Sequence, residues 1–278
     1  MSRARSAAAA LGAVPFLVYV AVFLVVPTVT IAISGFAEGS PVSTWTQPAM
    51  VSVLVKSLIV SGSTALIGAV VGGLLAYVVI IGNPDGVVRR AVTSFCAVIA
   101  QFGGVALAFA FIATVGLTGV VTLWLGEAFG FDLAPGGWLF DVPGLVLVYT
   151  YFQIPLMVVV FMPAVEGLRV QWREAAETLG ASPWQYWKLV GLPLLAPAFL
   201  GSVLLLFANA FAAYATAAAL ISQGSPLLPL QVRTALTNEV LIGAETRGYA
   251  VALEMIAVVA VVMTLYALVS RRAARWLR

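Results

Sequence analysis

Charged side chains, which carry most of the interaction chemistry open to this chain, are concentrated in one short segment. The protein has 14 basic and 11 acidic residues, and six of these charges fall within 166–188. They are Glu166, Arg169, Arg173, Glu174, Glu177 and Lys188. Charges of both signs in one segment can set the register of a protein interface by pairing with a partner.

Other side chains exclude several kinds of site. Histidine is absent and the only cysteine is Cys96, inside an apolar run. Catalytic triads with histidine, His/Cys metal sites and disulfide frameworks therefore lack their residues. The chain also has no G-x-x-x-x-G-K-[ST] phosphate loop before either of its lysines, Lys56 and Lys188. We expect no catalytic residue, no metal site, no cofactor and no ATPase site in this chain.

The composition predicts that these residues are positioned by transmembrane helices. Of the residues, 62% are hydrophobic and 9% are charged, and the mean hydropathy is +1.08, whereas soluble domains are about 25% charged. About 20 helical residues cross a bilayer, and the apolar runs lack the alternation of a β-barrel. We therefore predict an all-α integral membrane protein with one domain over 1–278. The six predicted spans are 13–35, 57–81, 91–115, 143–165, 194–222 and 248–270.

The basic residues predict the orientation of these spans. With the N-terminus inside, only Lys56, Arg233 and Arg247 of the 14 basic residues lie outside. The positive-inside rule then places both termini and the charged segment in the cytoplasm. The pI near 9.2 does not indicate a nucleic-acid partner, because the basic residues are scattered in small groups at the ends of apolar runs.

The N-terminal run has two interpretations. MSRARS followed by apolar residues is typical of a signal peptide, whose apolar region has about 7–15 residues. The run here is longer, which favours an uncleaved first transmembrane helix.

Residues 166–193 predict two short helices joined by a tight turn. Gly180 occupies a position where a left-handed residue ends a helix. Ser182-Pro183-Trp184-Gln185 has the pattern of an N-cap, a proline at N1 and a capping-box glutamine. The alternative is an ordinary loop whose aromatic residues lie among lipid headgroups. The first helix has an apolar face, made by residues at helical spacing: Leu168, Trp172, Ala175 and Leu179.

The same segment resembles the motif of a known family. Glu174-Ala175-Ala176, three residues, Gly180, nine residues, Val190, one residue and Leu192-Pro193 follow one another. This resembles the EAA loop of membrane subunits in binding-protein-dependent ABC importers, Glu-Ala-Ala-x3-Gly-x9-Ile-x-Leu-Pro. Val190 in place of isoleucine is the one departure. The predicted position of the loop, between the fourth and fifth of six spans, extends the resemblance over nearly the whole chain.

The resemblance implies a permease subunit with the type I ABC importer fold in the bacterial cytoplasmic (inner) membrane. In that family the loop docks in a cleft of a separate ATPase and moves with it as nucleotide is bound and hydrolysed. ATP and Mg would be used by that partner. The implied coupling residues are Arg173, Glu174, Ala175, Ala176, Gly180, Leu192 and Pro193.

The resemblance also implies partners on both sides of the membrane. ATP-binding subunits would lie at the cytoplasmic face, and an extracellular or periplasmic solute-binding protein would lie at the other. A second permease subunit would complete the pathway. A heterodimer is favoured over a homodimer.

Polar residues inside the spans are candidates for a solute pathway, because polar groups are unfavourable in hydrocarbon. Each amide has the alternative role of an interhelical hydrogen bond that stabilises packing. Glu254 has the alternative of reaching the outer interface or pairing with Arg247 or Arg233. The candidates are Gln101, Gln153, Asn209, Tyr214 and Glu254.

The sequence also bears on the transported solute and on two alternative functions. The sequence around ASPWQYWKLVGLPLLAPAF is similar to the branch that handles polyamines, iron(III), thiamine or phosphonates, and a polyamine is favoured. An ion-coupled secondary carrier would usually have inverted repeats and more membrane acids. A membrane protease would need a Ser–Lys pair, yet Lys56 and Lys188 are predicted at span ends on opposite sides.

Overall fold

The computed structural model describes residues 14–36, 41–81, 86–130, 135–221, 227–237 and 244–276. These residues are almost entirely helical, which confirms the predicted all-α class. Six helical segments are long and apolar enough to cross a membrane. They are Val14–Phe36, Pro48–Ile80, Gly104–Phe129, Val142–Glu166, Pro183–Ala212 and Glu245–Val269.

The helices are numbered here in chain order. A π-helical turn, Ala21–Val25, interrupts α1, and a 3-10 turn, Pro135–Phe140, precedes α7. The bounds are α1 Val14–Phe36, α2 Val42–Trp45, α3 Pro48–Ile81, α4 Val87–Gln101, α5 Gly104–Val115, α6 Val120–Phe129, α7 Val142–Glu166, α8 Val170–Thr178, α9 Pro183–Tyr186, α10 Leu192–Ala212, α11 Ala215–Leu220, α12 Leu228–Leu236 and α13 Ala244–Trp276.

The chain divides into two compact units. The first comprises Met1–Val51 and Gln231–Ala257. Within it α1 closely approaches α13. A Cβ added to Gly35 would lie 3.4 Å from the carbonyl oxygen of Tyr249. The Trp45 indole N–H also donates to the Ala250 carbonyl at 2.9 Å. These contacts fasten the N-terminal helices to the beginning of α13.

The second unit comprises Ser52–Leu230 and Val258–Arg278 and contains the charged segment. Helix α7 lies at its centre, apolar on all sides, and packs against α4 and α10. Glycines bring α3 close to α7: a Cβ at Gly72 would lie 2.5 Å from the carbonyl oxygen of Ile154. Small residues at such crossings let helix backbones approach in membranes.

Two predicted spans differ from the structure. The run 91–115 is divided between α4 and α5, because Gly103 is extended and Gly104 has a φ of +76°. The run 194–222 is divided at Ala213, whose backbone is extended. The residues after 115, predicted as an outer loop, include α6, and the third segment long enough to cross runs through Gly104–Phe129.

Candidate functional site

Helix α8 ends in a turn that requires a left-handed residue. The N–H of Gly180 donates to the Glu177 carbonyl at 2.9 Å, and the N–H of Ala181 reaches the carbonyl of Ala176 at 3.0 Å. This pair of bonds defines a Schellman motif. Gly180 has a φ of +78°, and a Cβ added there would meet nothing within 4 Å. Its backbone conformation, not a lack of space, therefore demands glycine.

The second helix begins with the capping box that its sequence indicates. Ser182 Oγ accepts from the Gln185 N–H at 3.3 Å, and Gln185 Oε1 accepts from the Ser182 N–H at 2.7 Å. Helix α9 then continues through a π turn into α10. The 30-residue rod Pro183–Ala212 is about 45 Å long at about 1.5 Å per residue. One continuous helical segment therefore joins the elbow at Gly180 to the fifth span.

The π turn directly precedes Pro193. Pro193 has no N–H, so the carbonyl of Leu189, four residues earlier, lacks its α-helical donor. Within the turn, the Leu192 N–H donates to the Trp187 carbonyl, five residues back, rather than to the Lys188 carbonyl. A wider turn of this kind is frequent where a helix is interrupted at a functional site.

Trp187 fastens the rod to the second span. Its ring packs edge-on against Tyr77 of α3, with the ring centroids 4.9 Å apart. A Cβ added to Gly191 would lie 2.5 Å from the Trp187 ring. Only glycine at position 191 therefore leaves room for this ring orientation.

The entry to the site is held by an ion pair. Arg89, in the first turn of α4, pairs with Glu166, the last residue of α7. Their side chains are 21% and 42% exposed, so solvent weakens the pair and its contribution to stability is modest. It nevertheless ties the segment before the third span to the start of the charged segment.

An apolar cavity of about 550 Å³ lies where α7 ends and α10 begins. Trp172 of α8 forms part of its wall, together with Pro163, Leu168 and Pro193. The Arg169 guanidinium lies 5.9 Å from the centroid of the Trp172 ring, within the range of a cation–π contact.

The side of α8 that faces away from the spans carries charged side chains exposed to solvent. Arg173 Nε donates to Glu177 Oε1 at 2.9 Å, and this hydrogen bond raises the pKa of the Arg173 guanidinium. Glu174 and Ala175 are exposed, and Ala176 is half-buried. The small alanines beside these charges leave a flat patch that another backbone can approach closely.

Apolar side chains on both sides of the turn are uncovered. Leu179 is 87% exposed and Trp184 is 71% exposed. The expected apolar face of the first helix is therefore only half buried: Leu168 and Trp172 pack inward, whereas Ala175 and Leu179 do not. Exposed apolar groups beside oriented charges are typical of a protein interface.

Two candidate pathway residues meet in the second unit. Gln153 is fully buried, and its Nε2 donates to the Leu206 carbonyl at 2.7 Å. Asn209 Nδ2 lies 3.5 Å from Gln153 Oε1. Gln101 is exposed at the end of α4, and Tyr214 is half-buried at the break after α10.

Glu254 belongs to the first unit. Its side chain is 5% exposed, and its Oε2 has no hydrogen-bond partner among the residues described. Arg247, which the sequence suggested as a partner, instead donates to Gln47 at 2.8 Å.

Sequence reasoning missed three residues that hold the elbow in place. Arg89 was counted only for topology, and Tyr77 and Gly191 were not considered. Of the three, only Gly191 could have been found from the sequence, because a glycine between Val190 and Leu192 interrupts a run of bulky residues. The partners of Arg89 and Tyr77 are distant in sequence, so no local pattern indicates them.

Comparisons with known sequences agree with the motif. Residues 68–275 match the family described as binding-protein-dependent transport system inner membrane component. The chain is 37% identical over 98 residues to the sulfate transport system permease protein CysT of Escherichia coli, covering 32% of this chain and 35% of that protein. It is 26% identical over 197 residues to the putative ferric transport system permease protein FbpB 1 of Haemophilus influenzae, covering 68% and 30%.

A third relative is the molybdenum transport system permease protein ModB of Mycobacterium bovis. It is 32% identical over 133 residues, which cover 47% of each protein. The chain thus spans less than half the length of these three relatives.

Solved structures share the fold over most of the chain. A bacterial alginate ABC transporter, in complex with an alginate pentasaccharide-bound periplasmic protein, has a TM-score of 0.74 at 17% identity, covering 96% of this chain and 95% of that one. The MetNI methionine ABC transporter has a TM-score of 0.59 at 14% identity, covering 82% and 99%. The fold is that of ABC importer permeases, and the chain belongs to the family of binding-protein-dependent transport system inner membrane components.

Proposed function

We propose that this chain is the permease subunit of an ATP-driven importer and forms half of an alternating-access pathway for a small solute. Its coupling element is the elbow formed by α8, the turn at Gly180 and α9. The observation that carries the proposal is the continuity of this exposed elbow with the rod Pro183–Ala212. Movement of a partner docked on α8 would reach the fifth span through the turn at Gly180 and the π turn before Leu192.

The docking surface is proposed to be the exposed side of α8 and the turn. Arg173, Glu174, Ala175, Ala176 and Gly180 would contact or orient the ATPase. Leu192 and Pro193 would join the elbow to the span. The match of the whole motif to the family, and the exposure of Leu179 and Trp184 beside it, support this assignment.

The remaining partners are proposed by the same reasoning. ATP-binding subunits would use ATP and Mg, and a second permease subunit would complete the pathway, with a heterodimer favoured. An extracellular or periplasmic solute-binding protein would deliver the solute. The alginate transporter, whose complex contains a periplasmic protein, supports a partner of this kind. The chain would lie in the bacterial inner membrane with both termini in the cytoplasm.

The solute is proposed only as a small polar molecule. The relatives reported above are described as transporting sulfate, ferric iron and molybdenum, which is varied chemistry. They give no support to the polyamine favoured from the sequence. A binding screen on the co-isolated extracellular receptor would identify the cargo.

A crosslinking experiment tests the coupling proposal. A photoreactive amino acid replaces Ala175 in the full chain, in the native membranes that contain the active transporter. We expect a covalent product with an ATP-hydrolysing subunit. Val120 on α6, which is 72% exposed, serves as the control position and should not give that product.

The alternative of an ion-coupled carrier predicts a different outcome. A carrier would purify without an ATPase or a second six-helix protein. If Ala175 captures no ATPase in membranes that actively import, the proposed function is wrong.

A further inference from the structure

The hydrogen bonds of Gln153 lie close to the middle of the membrane. Helix α7 has 25 residues, about 37 Å at about 1.5 Å per residue, slightly more than a hydrocarbon core of about 30 Å. Gln153 is near its centre and is bonded to the carbonyl of Leu206. Asn209 follows Leu206 by three residues, about 4.5 Å along α10. Asn209 therefore lies within the hydrocarbon core, close to its midplane.

The network fixes the orientation of the Asn209 amide. The Gln153 Nε2 donates to a carbonyl oxygen, so the Gln153 Oε1 is directed toward Asn209. Asn209 must offer its NH₂ group to that oxygen, because two amide oxygens facing each other would repel. The Asn209 carbonyl oxygen and one N–H are left for groups outside this pair.

Two helix breaks lie on the same side of the midplane and are joined by hydrogen bonds. The Tyr149 hydroxyl donates to the Ala213 carbonyl at 2.6 Å, and the Gly104 N–H donates to Thr216 Oγ1 at 2.9 Å. Tyr149 is one turn of α7 from Gln153, so these breaks are also within the core. Broken backbone at this depth occurs only where protein or a water-filled space surrounds it.

Two amide side chains and a backbone segment near these breaks are uncovered. Asn209 and Gln101 are exposed, and Gly103, in the break next to Gln101, is also exposed. A Cβ added to Gly103 would meet nothing within 4 Å. Amide side chains facing lipid at this depth would lose hydrogen bonds to water without replacement.

The opposite face of α10 has the character of a lipid contact. Leu200 is 51% exposed, and it lies nine residues before Asn209, which is half a revolution at about 100° per residue. The exposed residues before it in α10, Leu192, Pro193 and Ala196, are also apolar. The exposed side chains of α10 are thus apolar near its N-terminal end and polar at Asn209, about 13.5 Å farther along the helix than Leu200.

We propose that Asn209 and Gln101 line a water-filled solute pathway at the membrane midplane, while Gln153 is a packing residue behind them. This rests on the proposed function only in that a pathway runs through the chain. These residues carry hydrogen-bonding groups and no charged side chain. They suit a hydrated solute that is held by hydrogen bonds rather than by a fixed countercharge.

Cysteine accessibility tests this proposal without knowledge of the solute. The wild-type chain supplies the background, because its only cysteine, Cys96, is buried. Asn209→Cys and Gln101→Cys are made separately in the complete transporter in membrane vesicles. A charged, membrane-impermeant methanethiosulfonate reagent is added from each side, with and without ATP.

We expect both variants to react at least tenfold faster than wild type from one side or in one nucleotide state. Leu200→Cys, on the lipid face, and Gln153→Cys, behind the exposed amides, should stay at background with the charged reagent. Leu200→Cys should be labelled by the same reagent after denaturation in detergent, which shows that its thiol is present.

Two results would overturn the inference. One is background reactivity of Asn209→Cys toward the charged reagent from both sides and in both nucleotide states, which would place this residue away from water. The other is reaction of Gln153→Cys as fast as that of Asn209→Cys, which would mean that the packed amide and the exposed amide are equally open to water. Either result leaves the ATPase crosslink at Ala175 intact, so failure here differs from failure of the proposed function.

Discussion

Residues of one type have different roles in this protein according to the backbone and neighbours around them. Gly180 is required by a left-handed backbone and stands in open space. Gly191 is required by the ring of Trp187. Gln153 is fully buried in a network, whereas Asn209 beside it is exposed. From the sequence alone, only the turn at Gly180 could be predicted. The role of Gly191 and the different burial of Gln153 and Asn209 could not.

Replacing Gly180 should uncouple transport from ATP hydrolysis while the chain remains in the membrane. A non-glycine residue in the left-handed region costs about 1–2 kcal/mol, and the β-branched valine of Gly180→Val adds crowding. The turn would open and α8 would lose its angle to the rod. The measurement is solute-dependent ATPase activity and uptake in reconstituted transporter.

Asparagine adopts the left-handed conformation more readily than other residues, so Gly180→Asn is the matched control. It should keep most of the coupled activity. If Gly180→Val and Gly180→Asn couple equally well, the backbone conformation at residue 180 is not what couples the elbow to the ATPase.

At the scale of elements, helix crossings decide which glycines matter. Helix α3 contains Gly62, Gly68, Gly72 and Gly73 within one apolar run. A Cβ at Gly62 would meet nothing within 4 Å, but a Cβ at Gly72 would lie 2.6 Å from Met157 Cβ. Within the sequence these glycines are alike, and only the packing of α7 shows which of them lies at a close helix crossing.

The same substitution at two positions of α3 should therefore have different effects. We expect Gly72→Ala to destabilise the protein by about 1–3 kcal/mol, the usual range for overpacking, because the carbonyl of Ile154 and Met157 must shift. Gly62→Ala should be neutral or slightly stabilising, since alanine is the better helix former. Thermal unfolding of both variants in nanodiscs measures the difference. Equal midpoints would mean that α3 and α7 are not packed as described.

The breaks within the membrane helices also belong to the scale of elements. The break at Gly103 has a glycine pair in the sequence, although we predicted an unbroken span across it. The break at Ala213 has no glycine or proline nearby. It is stabilised by Tyr149, 64 residues away, so a local pattern could not predict it.

At the scale of the whole molecule, orientation is the property that the function most depends on. The coupling proposal requires the elbow to face the cytoplasm. The basic residues predict this by their asymmetry, and the elbow lies at the same end of α7 as the Arg89–Glu166 pair. The basic residues at the start of α4 and those of the charged segment therefore agree with one orientation.

Reporter fusions test that orientation directly. Green fluorescent protein fused after Arg278 should fluoresce, because it folds in the cytoplasm. Alkaline phosphatase fused after Gly130, at the end of α6, should be active, because it needs an oxidising exterior. Exchanging the two reporters should abolish both signals. An active phosphatase at Arg278 would contradict the predicted topology.

The sequence by itself determined the all-α membrane class, the number of crossings, the two helices of the elbow and the caps that bound them. These depend on local quantities: apolar run length, the left-handed preference of glycine and the capping box of Ser182 and Gln185. Only the tertiary structure decided where the third and fifth spans break, which amide is buried and which is exposed, and how Trp187 and Arg89 fasten the elbow. Those outcomes depend on contacts between residues far apart in the chain, whose geometry is set by helix packing and leaves no periodic trace in the sequence.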